Sequence, residues 1–312
     1  MRRVGLIGAP EREEIVRLAI RLEERGAEPV VFDASADPGI EMGPGECRLQ
    51  GIDLAGFSGF YVSDLGIRTP WRRSDSGGLD EEATRRALTA SKRHLAAWNA
   101  LLIRQSKTAR VANPPHTHDL HGLKPWEMSV YDRLDIPVPW TLATSSPERL
   151  VALSGHESMP PLVRKGLVGG YGFTEAFELP TRVEAASALG GAIQIQERIE
   201  GDNLRVFVLG GQVLGGATIY SKDPGATDNR RGDIRVQRIT VPDETARVAK
   251  RAAKHWRLAF TAVDFMRDAA SGRDLMLECN SSPFFVGFER STGIDVASAL
   301  ADYLLARGAY RD

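Results

Sequence analysis

The chain begins with an apolar run, an amphipathic helical pattern and a second apolar run, and this order constrains the fold more than any other feature. The three segments are Val4 to Ile7, Glu11 to Arg25 and Val30 to Phe32. Two strands joined through one helix are expected to be parallel neighbours, because a parallel pair needs a crossover connection. Phe60 to Val62 is predicted as a third strand. The N-terminal third is therefore expected to be Rossmann-like, but it lacks a G-x-G-x-x-G fingerprint and no NAD site is expected there.

The rest of the chain predicts a mixed α/β (α+β) organisation. A long helix from Leu79 to Arg104 is expected to end the first domain. An alternating strand from Ile193 to Ile199 follows, and Gly210-Gly211 is typical of a hairpin turn. Thr261 to Met266 and Leu275 to Cys279 are predicted as two core strands. We expect three units, which are residues 1–112, 113–200 and 201–312.

Composition excludes several functional classes. The 312 residues carry 40 Lys and Arg against 41 Asp and Glu, a formal net charge of -1. Without a global positive field, neither nucleic acid nor an anionic membrane is expected as a partner. No run of about 18 uninterrupted apolar residues occurs, so no spanning helix is predicted. Cys47 and Cys279 cannot form a disulfide framework, and a cytoplasmic location is expected.

A lysine at a strand end, followed by a glycine-rich stretch, is suited to binding phosphate. Lys165 is followed by Gly166, Gly169, Gly170 and Gly172. Glycines allow backbone N–H groups to approach oxygens closely, and the lysine supplies a positive charge. The stretch is not a P-loop, and for the glycines alone a surface turn is the simpler interpretation.

Three oxygen-bearing side chains lie on the two predicted core strands. Glu278 and Asn280 are two residues apart, so their side chains point to the same face, and Asp264 lies on the preceding strand. Carboxylate and amide oxygens suit Mg²⁺ or Mn²⁺ rather than zinc. The alternative is that Asp264 and Glu278 are solvated charges at strand ends. The apolar neighbours of these residues weaken that alternative, because a lone charge in a core strand is costly.

Taken in order, these features resemble the ATP-grasp superfamily, in particular the RimK-type glutamate ligases and their glutathione-synthetase-like relatives. The resemblance covers about residues 110 to 305. The segment from Glu278 to Pro283 is similar to the family's E-x-N-x-S-P signature. Ser291 to Asp295 is similar to the T-G-I-D segment before the last helix, and Asp202 to Val208 is similar to the D-x-R strand.

The resemblance implies a role for each matching residue. It implies an ATP-grasp fold behind a Rossmann-like domain, with ATP and Mg²⁺ or Mn²⁺ as cofactors. The implied metal ligands are Asp264, Glu278 and Asn280. The implied catalytic residues are Arg205, which faces an acyl phosphate, Lys222 and Arg231. The implied ATP-binding residues are Lys124, Lys165, Gly169, Gly170, Gly172, Gln196, Glu197, Arg198, Ile199 and Asn203.

The activity implied by the resemblance is ATP-dependent carboxylate–amine ligation. An acyl phosphate would form first, an amine would then attack it, and ADP and phosphate would be released. The acceptor is left open among an amino acid, a peptide, a protein and a cofactor tail, and relatives are commonly homo-oligomers. A kinase that phosphorylates a hydroxyl is the main alternative, because ATP-grasp cores also occur in kinases. A nucleotide-binding protein without catalysis is the third.

Overall fold

The computed structural model describes residues 1–34, 39–65, 81–113, 117, 120, 122–167, 174–221 and 234–306, with only the backbone of residues 81–84. Three larger sheets and one small sheet follow one another along these segments. The second and third of the larger sheets supply residues to the candidate site.

The N-terminal unit is built on a parallel sheet. Its elements are β1 (Arg3–Gly8), α1 (Glu13–Glu23), β2 (Glu28–Asp33), β3 (Ile40–Met42), β4 (Cys47–Leu49), β5 (Ile52–Asp53), β6 (Phe57–Val62), α2 (Glu81–Gln105) and β7 (Arg110–Ala112). The strand order is β2-β1-β6-β7, and each neighbouring pair in this sheet is parallel. Ile15, Leu18 and Leu22 of α1 are buried at helical spacing. The predicted strand–helix–strand pattern is confirmed.

The second unit is an antiparallel sheet with one apolar face. Its elements are α3 (Lys124–Arg133), β8 (Thr141–Thr144), α4 (Pro147–Ser154), β9 (Leu162–Lys165), β10 (Glu175–Phe177), α5 (Val183–Ser187) and β11 (Ile193–Glu197). The strand order is β10-β9-β11-β8. Ile193 and Ile195 pack with Leu150 and Leu153 of α4. The side chains between them in β11 therefore point to the opposite face.

The third unit is a five-stranded antiparallel sheet. Its elements are β12 (Gly201–Leu209), β13 (Gln212–Ser221), β14 (Ile234–Ile239), α6 (Asp243–His255), β15 (Phe260–Asp268), β16 (Asp274–Asn280), α7 (Val286–Thr292) and α8 (Val296–Leu305). The strand order is β14-β13-β12-β15-β16. Gly210 and Gly211 join β12 to β13 with φ values of 55° and 76°. Two successive positive φ angles are what a two-residue hairpin turn of type I′ requires, so the predicted turn is confirmed.

Two apolar clusters cover the two faces of the third sheet. On one face, Val206 and Phe265 pack with Ala249 and Ala252 of α6 and with Tyr131 of α3. On the other face, the apolar residues pack against the N-terminal unit and the last two helices. That cluster includes Phe207, Phe260, Phe285, Leu300, Ile15 and Leu18. The polar part of this second face is left for the candidate site.

The segment that resembles T-G-I-D has a structural role in the turn between α7 and α8. Gly293 has a φ of 70° and ends α7, a position where glycine is favoured because it lacks a Cβ. Asp295 begins α8, and its side chain accepts a hydrogen bond from the backbone N–H of Ser298 at 2.9 Å. The segment therefore fixes the direction of the last helix, which packs against the N-terminal unit.

The three larger sheets lie within the predicted units 1–112, 113–200 and 201–312, but the boundaries themselves stay a prediction. Helix α3 precedes the second sheet in the chain and yet packs with the third, because Met128, Val130 and Tyr131 are buried with Val206 and Phe265. In the part of the chain that is described, none of the helices has both the length and the apolar content to cross a membrane.

Candidate active site

Three of the predicted site residues form one row across the third sheet. Arg205 on β12 lies opposite Asp264 on β15, and Asp264 lies opposite Glu278 on β16. Directly opposed residues in antiparallel strands have their Cβ atoms about 5 Å apart on the same face. Asn280 lies two residues further along β16, opposite Ala262. The strand register therefore brings together residues that are far apart in sequence.

Asp264 is the centre of a hydrogen-bonded group. The Arg205 guanidinium donates from Nε to Oδ1 at 2.7 Å and from Nη2 to Oδ2 at 2.9 Å. Asn280 donates from Nδ2 to Oδ2 at 3.0 Å. A carboxylate has about four lone-pair sites, so one remains for a further partner. The Asp264 carboxylate raises the pKa of Arg205 above its ordinary value, and this arginine stays charged.

Lys124 lies next to a predicted metal ligand. It is the first residue of α3, and its Nζ lies 2.8 Å from Oε2 of Glu278. The two side chains are 18% and 31% exposed, so the pair is open to one side. Lys124, Arg205, Asp264, Glu278 and Asn280 thus form a single cluster with two positive and two negative charges.

The cluster fits a hard divalent cation by its donor chemistry. Asp264 and Glu278 offer carboxylate oxygens, and the amide nitrogen of Asn280 is directed to Asp264 and to the carbonyl of Ala262. Its Oδ1 is the atom that remains to bind a cation. In the described segments, no group of three or more His, Cys, Asp or Glu side chains could hold a metal ion. Two carboxylates completed by substrate oxygens are the arrangement that Mg²⁺ commonly uses.

A three-residue segment joins the second sheet to the third. β11 ends at Glu197 and β12 begins at Gly201. Glu197 donates its backbone N–H to the carbonyl of Trp140 at 2.8 Å, and Arg198 donates its backbone N–H to the carbonyl of Pro161 at 2.8 Å. Residues 198–200 include Arg198 and Ile199, and the resemblance implies that this segment is the hinge that holds the adenine of ATP. The assignment of adenine to this segment stays a prediction.

The remaining predicted residues divide into those that the structure describes and those that it does not. Lys165 ends β9, and Gln196 of β11 donates from Nε2 to the Thr141 hydroxyl at 2.8 Å. Asn203 lies two residues before Arg205 on β12 and is half-buried. Gly169, Gly170, Gly172, Lys222 and Arg231 lie outside the described residues.

A buried carboxyl group beside this cluster was not predicted from the sequence. Glu127 lies one turn after Lys124 on α3 and accepts a hydrogen bond from the Tyr131 hydroxyl at 2.8 Å. Tyr131 in turn accepts one from the indole Nε1 of Trp256 at 3.0 Å. Glu127 also accepts from the backbone N–H of Cys279, the residue between Glu278 and Asn280. Lys124, Glu127 and Tyr131 are spaced three and four residues apart, so they lie on one face of the helix. This spacing was the signal in the sequence that could have placed Glu127 beside the site.

Burial raises the pKa of Glu127 to about 7, and the nearby charge of Glu278 adds to this effect. The hydrogen bonds from Tyr131 and Cys279 and the charge of Lys124 lower the pKa again, but only in part. Folded protein therefore holds a proton on Glu127 between about pH 4.5 and 7, where unfolded protein has lost it. This contribution to stability is largest at low pH and is lost as the pH rises through 7.

We expect Glu127→Gln to stabilise the protein increasingly as the pH rises from 5 to 8. The amide carries no charge to be desolvated, and the shift corresponds to about 3 kcal/mol at most. Denaturant unfolding of both proteins at pH 5, 6, 7 and 8 measures the difference in free energy of unfolding. Glu184→Gln, at an exposed position on α5, is the control and should show no trend. A Glu127→Gln difference that is the same at every pH would contradict the assignment.

A three-residue segment joins two antiparallel sheets. Lys165 ends a strand of one sheet, and the row of Arg205, Asp264 and Glu278 lies on the other. This arrangement defines the ATP-grasp class of protein. The model of the RimK-like ATP-grasp domain matches residues 124–304, more than half of the chain. The chain belongs to this family. The fold and family predicted from the sequence, an α+β ATP-grasp protein of RimK type, are confirmed.

Curated relatives carry the name probable alpha-L-glutamate ligase. The protein from Ectopseudomonas mendocina is 30% identical over 185 residues, which is 57% of this chain and 61% of the relative. The protein from Legionella pneumophila is 30% identical over 180 residues, 55% of this chain and 59% of the relative. The match thus spans about three fifths of the length of these relatives. Their shared name agrees with the predicted enzyme class, an ATP-dependent ligase.

Solved structures match over almost the whole chain. The ATP-grasp ligase PsnB in complex with a minimal precursor is 26% identical, with a TM-score of 0.80 and 98% of both chains covered. Its complex with a phosphomimetic variant of the minimal precursor, Mg and ADP is 28% identical, with a TM-score of 0.78 and 97% of both chains covered. The macrocyclase MdnC from Microcystis aeruginosa, at 18% identity and a TM-score of 0.78, shares the fold.

Proposed function

We propose that the protein is an ATP-dependent ligase that activates a carboxylate of a peptide as an acyl phosphate and joins it to an amine. ADP and phosphate are the other products. The carboxylate and the amine belong to the same peptide or to two substrates, and the experiment below separates these cases.

The match to PsnB extends over almost the whole chain, and this supports a peptide as the substrate. PsnB covers 97–98% of this chain, including the N-terminal unit, and its structures hold a precursor peptide. The sequence matches to the glutamate ligases span 39% to 58% of the chain. The parts of an enzyme that surround the reacting centre select the substrate, so likeness over the whole chain is the better guide to it.

The reaction needs ATP because a carboxylate has no good leaving group. Its oxygen attacks the γ-phosphorus of ATP, the bond to ADP breaks, and an acyl phosphate forms. The amine nitrogen then attacks the acyl carbon, the bond to phosphate oxygen breaks, and the amine loses a proton as phosphate departs. Catalysis of such steps consists mainly of positioning and electrostatic stabilisation.

The residues of the cluster have complementary roles in this proposal. Lys124 and Lys165 would bind phosphate oxygens, and Gln196 to Ile199 would bind adenine. Asp264, Glu278 and Asn280 would hold Mg²⁺, which supplies positive charge to the phosphates when bound. Arg205 uses two of its five N–H donors on Asp264, so the others remain to stabilise the oxyanion of the acyl intermediate. Lys222, Arg231 and the glycines after Lys165 keep their predicted roles.

The experiment measures ADP release from Mg·ATP with short peptides, acetylated at the N-terminus and amidated at the C-terminus, that contain Glu, Lys, both or neither. The product mass identifies the reaction. In the absence of hydroxylamine, we expect sustained release only when a carboxylate and an amine are both present, with loss of one water from a single peptide or condensation of two. Hydroxylamine added to the carboxylate peptide alone should give a hydroxamate, because it intercepts an acyl phosphate.

Replacing Lys by norleucine in the active peptide is the matched control, since it removes only the amine. A stable product that has gained phosphate on a hydroxyl would overturn the proposal in favour of a kinase. ADP release that needs no peptide amine and forms no hydroxamate in the trap would also contradict it.

A further inference from the structure

Gln194 is a buried polar residue that lacks a partner for one of its atoms. It lies on β11 and is 2% exposed, and its side-chain oxygen Oε1 has no hydrogen-bond partner among the described residues. A buried acceptor without a donor is costly, and its replacement by an apolar side chain is commonly neutral or stabilising. A donor from outside the protein would remove this cost.

The register of the second sheet identifies the neighbours of Gln194. Ile193 and Ile195 point toward α4, so Gln194 and Gln196 share the opposite face. Gln194 lies opposite Lys165 on β9 and opposite Ala143 on β8. On this face it therefore stands between the lysine proposed to bind phosphate and the strand end that leads into the hinge.

The chemistry of ATP limits what could satisfy this oxygen. An acceptor needs a donor, and the phosphates of ATP have none at neutral pH. The donors of ATP are the 6-amino group of adenine and the two ribose hydroxyls. The amide of Gln196 already donates to Thr141, so it is held in place on the same face. Among the described residues of β11, Gln194 is the one with a buried acceptor that lacks a donor.

We propose that Gln194 accepts a hydrogen bond from the 6-amino group of adenine and selects ATP over purine nucleotides with a 6-keto group. This inference rests on the proposed function, because it places the nucleotide between Lys165 and the hinge. Oε1 is closed to water in this structure, so the proposal requires the base to enter between the two sheets when they part at residues 198–200. With the amide of Gln194 in this orientation, the oxygen of a 6-keto purine faces Oε1, so two acceptors meet and no hydrogen bond forms.

The test compares nucleotide affinities of the wild type and Gln194→Leu by titration calorimetry without peptide. Leucine keeps most of the volume and removes the acceptor. We expect the wild type to bind ATP about tenfold more tightly than ITP in the presence of Mg²⁺. Gln194→Leu should lose about tenfold in affinity for ATP, keep its affinity for ITP within about twofold, and unfold at an equal or higher temperature.

Two controls define the outcome. Gln212→Leu, at an exposed position at the start of β13, should change neither affinity. 2′-Deoxy-ATP and 3′-deoxy-ATP should lose affinity with Gln194→Leu as ATP does, because their amino group is intact. A loss in Gln194→Leu that disappears for either deoxynucleotide would assign the oxygen to ribose and overturn the proposal.

Failure of the inference and failure of the proposed function give different results. A variant that prefers ATP over ITP as strongly as the wild type would overturn the role of Gln194 alone. Equal losses for ATP and ITP would do the same, because they indicate a disturbed sheet. A wild type that binds no nucleotide would overturn the proposed function itself, whatever the variant does.

Discussion

Glu278→Gln is expected to lower the turnover of the ligase by about 1000-fold while the protein remains folded. The substitution keeps the shape of the side chain and removes one of the two negative charges available to a divalent cation. Preorganised charge at the reacting phosphates commonly accounts for a factor of about 100 to 1000 for each group. The loss of a cation ligand should therefore dominate over any change in packing.

The stability of the Glu278→Gln protein should change little. Glu278 is 31% exposed, and its ion pair with Lys124 is open to solvent on one side. Pairs of this kind contribute roughly 0 to 1 kcal/mol. Thermal unfolding checks the expected stability of the variant. ADP release over a range of Mg²⁺ concentrations checks the expected loss of turnover. We expect the Mg²⁺ concentration at half-maximal rate to rise in the variant.

A matched control for Glu278→Gln is Glu175→Gln on β10, which removes a carboxylate from an exposed ion pair with Arg164. That variant should keep full activity. The cation assignment would be wrong if Glu278→Gln kept more than about a tenth of the activity with an unchanged Mg²⁺ dependence.

The sequence predicted the hairpin turn between β12 and β13 and the strands β15 and β16, because the pattern there is local. It did not predict β14. Alternation placed Glu278 and Asn280 on one face, and both lie there with Asp264. The pairing of Arg205 with Asp264 could not be read from alternation, since it depends on which strands are neighbours and in what register. The order β12-β15-β16 and its register appear only in the folded chain.

Residues that act through burial were the ones missed. Glu127 looks like a surface residue in a helix, and its burial becomes visible only when α3 packs against the edge of β16. For Gln194, alternation with Ile193 and Ile195 predicts the face, which is that of Gln196, but it does not predict burial. What the sequence lacks in both cases is the neighbouring element that covers the side chain.

Arg205→Lys should lower turnover by about 100- to 1000-fold even though the positive charge is kept. Arg205 holds Asp264 through two parallel hydrogen bonds of 2.7 and 2.9 Å, and lysine cannot reproduce this planar geometry. Asp264 would then be held mainly by the hydrogen bond from Asn280. The donors that we propose to stabilise the acyl intermediate would be lost. ADP release with the active peptide measures the effect.

A structural role of the Arg205 pair must be separated from its chemical role, and the chain offers a matched pair for this. Arg267 and Asp274 lie on β15 and β16, with the same bidentate geometry at 2.7 and 2.8 Å. Arg205→Lys and Arg267→Lys should each lower the free energy of unfolding by on the order of 1 to 3 kcal/mol. Arg267→Lys should leave turnover within about twofold. Equal losses of activity in the two variants would show that the sheet, not the site, was damaged.

A double variant separates the contribution of the Arg205–Asp264 pair to stability from its contribution to activity. Arg205→Met alone leaves the Asp264 carboxylate without its positively charged partner and should cost about 3 to 5 kcal/mol of stability. Adding Asp264→Leu removes that unpaired charge and should recover most of the stability, because an apolar pair can replace a buried ion pair. Activity should stay absent in the double variant. Recovery of activity together with stability would mean that Arg205 and Asp264 only hold the sheet, and the cation and the acyl phosphate would need other partners.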